Sequence, residues 1–230
     1  RQPGSNFKPF IYTAALAKGY TPASLINDAP VVFEDAALES AWRPENYSGK
    51  FYGPTRLRVA LYKSRNLVSI RLLRAIGVDY AIDYIQRFGF PAERLPRNLS
   101  LALGSATLTP MEVVTGFSVF ANGGFRVEPY WLLRTEDAAG RVLFEADPLV
   151  ACAACELPAP EAPTQPDAGE AGDPVEVLAL PGAPPPSDLR LAPRALDRQV
   201  AYQVHTMLQD VIRRGTGRRA VLPEVVSVGV

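Results

Sequence analysis

Arg1-Gln-Pro-Gly-Ser5-Asn-Phe-Lys8-Pro-Phe10 is the stretch that decides the fold. Pro3-Gly4 is a turn signal, and Phe7, Phe10, Ile11, Ala14 and Ala15 recur behind it at helical spacing. Pro9 fits only near a helix start, because it lacks an N–H and clashes in an interior. Ser5 is therefore expected at or just ahead of a first turn, with Lys8 three residues on along the same face. The positive dipole end disfavours an ammonium there, and burial lowers its pKa further. A serine hydroxyl held against such an amine is a nucleophile made without histidine. The chain needs one, because its single histidine, His205, lies far down the sequence and is expected to be a packed or solvated residue. Taken alone, S-x-x-K is weak, since an N-cap serine followed by a surface lysine is its ordinary structural meaning.

A second element supplies context. Lys63-Ser64-Arg65-Asn66 lies between two apolar-periodic stretches, Leu57 to Tyr62 and Leu67 to Ile76. Ser64 and Asn66 on a short inter-helix turn offer a hydroxyl for proton relay and an amide that can bind a substrate carbonyl. A simple helix cap is the structural alternative.

Together these residues resemble the penicillin-recognising serine acyltransferases, whose signature joins S-x-x-K, a serine-x-asparagine element and K-T-G. More narrowly, the chain is similar to the transpeptidase domain of class A, bifunctional penicillin-binding proteins of the PBP1a type. The matching stretches include Arg1 to Tyr12, Trp42-Arg-Pro-Glu-Asn46, Ala60-Leu-Tyr-Lys-Ser-Arg-Asn66 and Leu101-Ala-Leu-Gly104. Thr109-Pro-Met-Glu112, Phe120-Ala-Asn-Gly-Gly124 and Met207 to Arg219 complete them. The resemblance implies an α/β fold of the penicillin-binding/β-lactamase-like serine transpeptidase class, here mostly its helical part with a small β-hairpin. It implies Ser5 as the acylated nucleophile, Lys8 as its general base, Ser64 as proton relay to the leaving group, and Asn66 as a holder of the acyl-donor peptide. The partners implied are peptidoglycan stem peptides ending in D-Ala-D-Ala, with β-lactams as covalent inhibitors. The place implied is the periplasmic face of the bacterial inner membrane.

The family's third element, Lys-Thr-Gly on a strand beside the nucleophile, is expected soon after Arg219 and is not among the 230 residues. Gly215-Thr216-Gly217 follows a helical stretch and reads as a C-terminal glycine stop. The expectation is a fragment ending before the motif, with its activity set apart from that of its parent. The family's membrane anchor and glycosyltransferase domain, both upstream, are likewise outside the sequence, so contact with a membrane would run through an upstream anchor absent from this chain. A D,D-carboxypeptidase, a β-lactamase-like hydrolase and a non-catalytic fragment are the alternatives. Trp42 to Asn46 and Met207 to Arg219 favour the synthase among the enzymes.

Composition supports a globular core with one insert. Lys+Arg and Asp+Glu balance at 24 each, so no basic field argues for nucleic acid. At 47% hydrophobic, the 230 residues suffice for one sizeable core. No stretch approaches the roughly 20 apolar residues of a spanning helix. Residues 147–189 hold ten prolines and eight acids with no lysine or arginine, and read as a disordered linker. The expected organisation is thus a transpeptidase core over 1–146, a linker or insert over 147–195, and a returning helix with its tail over 196–230. Cys152-Ala-Ala-Cys155 is a lone C-x-x-C that reads as coincidental spacing, a disulfide or metal pair being the alternative. Neither a cofactor nor a metal site is expected.

Helices are expected at about 7–18, 55–63, 67–76, 79–88, 110–121 and 196–214. Asp79 is the expected N-cap and Gly89 the stop of the fourth. Thr109-Pro-Met-Glu112 combines a capping box with proline at the first helical position. Phe125 to Arg134 and Arg141 to Phe144 should form a hairpin.

Overall fold

One buried helix organises the first part of the chain. In the computed structural model, which describes residues 1–32, 42–156 and 189–220, a 3-10 turn at Gly4–Phe7 runs directly into α1 (Lys8–Ala17). Pro9 lies in the first turn, where its missing N–H has no intrahelical partner to lose. Every residue from Lys8 to Leu16 is buried, so α1 is a central helix and not an amphipathic surface one. Phe10 is its hub. The ring lies 4.8 to 5.4 Å from those of Phe7, Phe88, Phe90, Phe117 and Phe120. The pairs with Phe88, Phe90 and Phe117 are edge-to-face, an arrangement that adds about 0.5–1.5 kcal/mol each beyond buried area.

The chain then forms strands β1 (Leu25–Asp28) and β2 (Gly53–Arg56), antiparallel, with Leu25 opposite Arg56 and Asp28 opposite Gly53. Thr55 and Arg56, expected to be helical, are held in this ladder, so α2 (Leu57–Tyr62) begins only after them. Helices α3 (Asn66–Ile76) and α4 (Val78–Ile85) meet at Gly77, whose φ of +89° ends one and admits the other. Gly77, not Asp79, is therefore the N-cap of α4. Asp79 sits in the first turn and pairs with Arg97 at 2.6 Å. A 3-10 turn at Gln86–Phe88 closes on Gly89 as a left-handed stop, as the sequence predicts.

Helix α5 (Pro110–Ala121) opens with the expected capping box. Thr109 Oγ1 accepts from the Glu112 N–H at 3.1 Å, and Glu112 Oε2 accepts from the Thr109 N–H at 2.7 Å. Helix α6 (Arg198–Arg213) is capped by Asp197, whose carboxylate accepts from the Gln199 N–H at 2.8 Å. Its Ala201, Val204 and Met207 enter the core beside α1. The helix does not end on a left-handed glycine: Arg214 is the C-cap, and neither Gly215 nor Gly217 has a positive φ. Gly215 is needed for close approach instead, since a Cβ there would lie 2.4 Å from the Tyr62 carbonyl oxygen.

Arg1–Arg126 with Arg194–Val230 form one compact unit, and Val127–Pro193 a second. In the second, β3 (Arg134–Glu136) and β4 (Val142–Glu145) pair antiparallel around a turn in which Asp137 Oδ1 accepts from the Ala139 and Arg141 N–H groups. Regular pairing thus starts at Arg134, where a strand from Phe125 was expected. Phe125 itself makes only an isolated bridge, with Arg194, and Pro129 has no N–H to give a ladder.

The expected linker over 147–195 falls largely, at 157–188, outside the described residues. At its two ends Val150 bonds to Arg190 and Ala192, 2.8 Å in each case. The C-x-x-C spacing is not coincidental: Cys152 and Cys155 form a disulfide, because the local turn brings their Cα atoms to 5.3 Å. Residues 33–41 and the tail at 221–230 also lie outside the described residues. No helix among the described residues is long and apolar enough to cross a membrane.

Candidate active site

Ser5 stands exposed in the 3-10 turn ahead of α1, one helical turn from a lysine that is only 1% exposed. Two glycines hold that turn in place. The Gly4 N–H donates to the Gly104 carbonyl at 3.2 Å, and a Cβ on Gly104 would lie 2.0 Å from the Gly4 oxygen. Gly104 also takes a φ of +75°, which any other residue would adopt only with strain. The Leu101 to Gly104 segment, which sequence alone leaves without a role, is thus the backing of the serine turn.

Lys8 Nζ donates three hydrogen bonds: to the Ser64 carbonyl and to Ser64 Oγ, each at 2.9 Å, and to Asn66 Oδ1 at 2.7 Å. These saturate an ammonium. Burial still penalises the charge and lowers the Lys8 pKa from 10.5 to about 8. Ser64 Oγ in turn donates to Ser5 Oγ at 3.1 Å. The structure therefore brings all four sequence-predicted site residues together. It links Lys8 to Ser5 through the Ser64 hydroxyl, where the S-x-x-K spacing suggested a direct pair.

The Ser64 turn is unusual in its backbone. With φ +55°, Ser64 is the non-glycine residue with a positive φ among the described residues. That conformation costs of order 1–3 kcal/mol and persists only where its surroundings impose it. Here it aims carbonyl and hydroxyl alike at one ammonium.

A cleft of about 370 Å³ opens on Ser5 and Ser64, lined also by Asn46, Tyr47, Ser48, Lys63, Arg65, Asn66 and Thr216. Among the described residues no carboxylate lines it. Thr216 was not singled out from the sequence as a site residue; its N–H donates to the Tyr62 carbonyl at 3.1 Å and so places it by the Ser64 turn. Asn46 was likewise visible only as part of a matching motif. A hollow of about 400 Å³ in the second unit, lined by Tyr130, Trp131, Phe144 and Arg190 among others, holds no comparable set of groups. His205 lies exposed on α6, bonded to Gln209. Among the described residues no cluster of histidine, cysteine and acidic side chains fits a metal ion.

The penicillin binding protein transpeptidase domain family matches residues 1–227. Penicillin-binding protein 1A of Pseudomonas aeruginosa is 50% identical over 229 residues, covering 96% of this chain and 28% of that protein. Penicillin-binding protein 1A of Escherichia coli is 52% identical over 158 residues, 69% of this chain and 19% of that one. The chain thus spans less than a third of the length of these relatives. A crystal structure of penicillin-binding protein 1A from Haemophilus influenzae superposes with a TM-score of 0.78 at 35% identity, covering 95% of this chain and 32% of that one. Penicillin-binding protein A of M. tuberculosis, solved as an imipenem acyl-enzyme complex, shares the fold at a TM-score of 0.69 and 18% identity, over 98% of this chain and 46% of that one.

Proposed function

The chain belongs to the penicillin-binding protein transpeptidase family, and from that premise we propose that Ser5 is acylated by peptidoglycan stem peptides ending in D-Ala-D-Ala. The product is a cross-link of the bacterial cell wall, made at the periplasmic face of the inner membrane, and β-lactams are covalent inhibitors at the same serine. The observation that carries this reading is the chain of hydrogen bonds from Lys8 through Ser64 to Ser5. The unit of Arg1–Arg126 with Arg194–Val230 is the one that carries this site.

With Lys8 neutral, Ser5 Oγ attacks the penultimate carbonyl carbon. Its proton passes to Ser64 Oγ while the Ser64 proton passes to Lys8. The tetrahedral oxyanion is met in part by the backbone N–H of Ser5, a donor of a kind worth about 2.7–4 kcal/mol. The C–N bond to the terminal D-alanine then breaks. Lys8 returns its proton through Ser64 to the departing amine. An amine from a second stem peptide runs the sequence in reverse and releases Ser5. Asn66 has its Oδ1 committed to Lys8 and its Nδ2 to the Glu45 carbonyl at 2.8 Å, so it holds the donor peptide from a fixed position.

Labelling with a fluorescent penicillin, followed by peptide mapping, tests the reading. Label on Ser5 that disappears in Ser5→Ala is expected from the complete protein carrying this sequence. Label on any other residue, or none, overturns it.

A further inference from the structure

The side chains behind Asn66 have no part in the chemistry above, yet they determine where it happens. Helix α3 begins at Asn66, and Arg65 at its cap position makes no side-chain cap bond. The cap comes from elsewhere. Asn46, 5% exposed and twenty residues upstream, accepts from the Asn66 N–H at 2.9 Å and lies 3.5 Å from the Leu67 N–H with the same Oδ1. Its Nδ2 donates to Asp28 Oδ1 at 2.7 Å and to the Lys50 carbonyl at 2.9 Å. A carboxylate can only accept, so Asp28 fixes which end of the Asn46 amide faces the helix.

Asp28 is fully buried at the end of β1, and its second oxygen lies 3.9 Å from Arg65 Nε. The Arg65 guanidinium rests on the Tyr52 ring, 3.3 Å from its centroid. Asp28 thus reaches the two residues that follow Ser64: Arg65 by charge, and Asn66 through Asn46. Ser64, at φ +55°, directly precedes them.

We propose that Asn46 and Asp28 are positioning residues that pin the start of α3, and through it hold Asn66 Oδ1 and the strained Ser64 turn on Lys8. Neither touches the reacting atoms. Their contribution is alignment, and misplacement by about 1 Å can cost on the order of a hundredfold in rate. This inference rests on the acylation of Ser5 proposed above.

The test measures acylation of the complete protein by a fluorescent penicillin, with the acylation rate constant resolved from the dissociation constant of the preceding non-covalent complex. Asn46→Ala and Asp28→Asn are each expected to lower the rate constant by about ten- to a hundredfold, with the dissociation constant moved less than about threefold. Folded single variants that acylate at the original rate overturn the proposal. A measurement without substitutions guards against variants that do not fold. Amide hydrogen exchange at Asn66 and Leu67, first-turn groups with no intrahelical partner, is expected to be slow; fast exchange there also overturns it. Absence of label on unsubstituted protein fails the acylation reading instead, and the exchange measurement still decides this one.

Discussion

Ser64 offers Lys8 both of its oxygens, the carbonyl and Oγ each 2.9 Å from Nζ. The carbonyl anchors the amine and the hydroxyl carries its reach onward to Ser5. Removing only the hydroxyl separates the two roles. Ser64→Ala is expected to keep Lys8 in place and cut the acylation rate by about a hundredfold or more, the usual worth of a positioned proton-transfer group. Stopped-flow labelling measures it, and a loss under threefold would mean that the proton passes without Ser64.

The proposed acylation needs neutral Lys8, whose pKa burial lowers to about 8. The rate is expected to climb with pH and level off above about 8. A profile flat from pH 6 to 9 would remove Lys8 as the base. The same shift bears on stability. Between about 8 and 10.5 the unfolded chain holds a proton on this lysine that the folded chain has lost, so stability from this group rises with pH across that window. In Lys8→Met, chemical denaturation should show that rise abolished.

Gly104→Ala places a Cβ 2.0 Å from the Gly4 carbonyl oxygen at a φ of +75°. The turn bearing Ser5 has to move or the substitution has to strain. Destabilisation of about 2 kcal/mol is expected, together with slower labelling. An unchanged melting temperature with unchanged labelling would show that the turn is held by something else.

Asp210 ties α6 to α2 and to the segment beyond it, with Oδ2 3.0 Å from Arg58 and Oδ1 paired with Arg214. Burial works to raise its pKa, but the hydrogen bonds and charges of Arg58 and Arg214 together outweigh burial and lower it. Its stabilising share is therefore present above the unfolded value near 3.8 and lost as pH falls through the lower, folded one. Asp210→Ala should cost about 1–3 kcal/mol at neutral pH, less than a fully buried pair because Arg58 is partly exposed. Urea denaturation at pH 7 and pH 3 checks it, and an equal cost at both would refute the electrostatic account.

Local chemistry made much of this legible in advance. Pro9 and the phenylalanine spacing announce α1, and Thr109 with Glu112 announces α5, because caps and periodicity act within four residues. What failed to show depends on partners distant in sequence. Thr55 and Arg56 have helical neighbours but are claimed by β1, twenty-nine residues back for the Thr55–Ile26 pair. Gly215 looks like a helix stop and is instead a contact with Tyr62. Ser5 and Lys8 were found by spacing, while their joining through Ser64 required two segments to meet across 56 residues of chain.

A helix without a solvent face has no direction in which its side chains can drift freely. Nine consecutive residues of α1, Lys8 to Leu16, are in that position. The mount of Ser5 is thus closed to gradual remodelling, and change is accommodated instead at the exposed rim of Tyr47, Ser48 and Lys63.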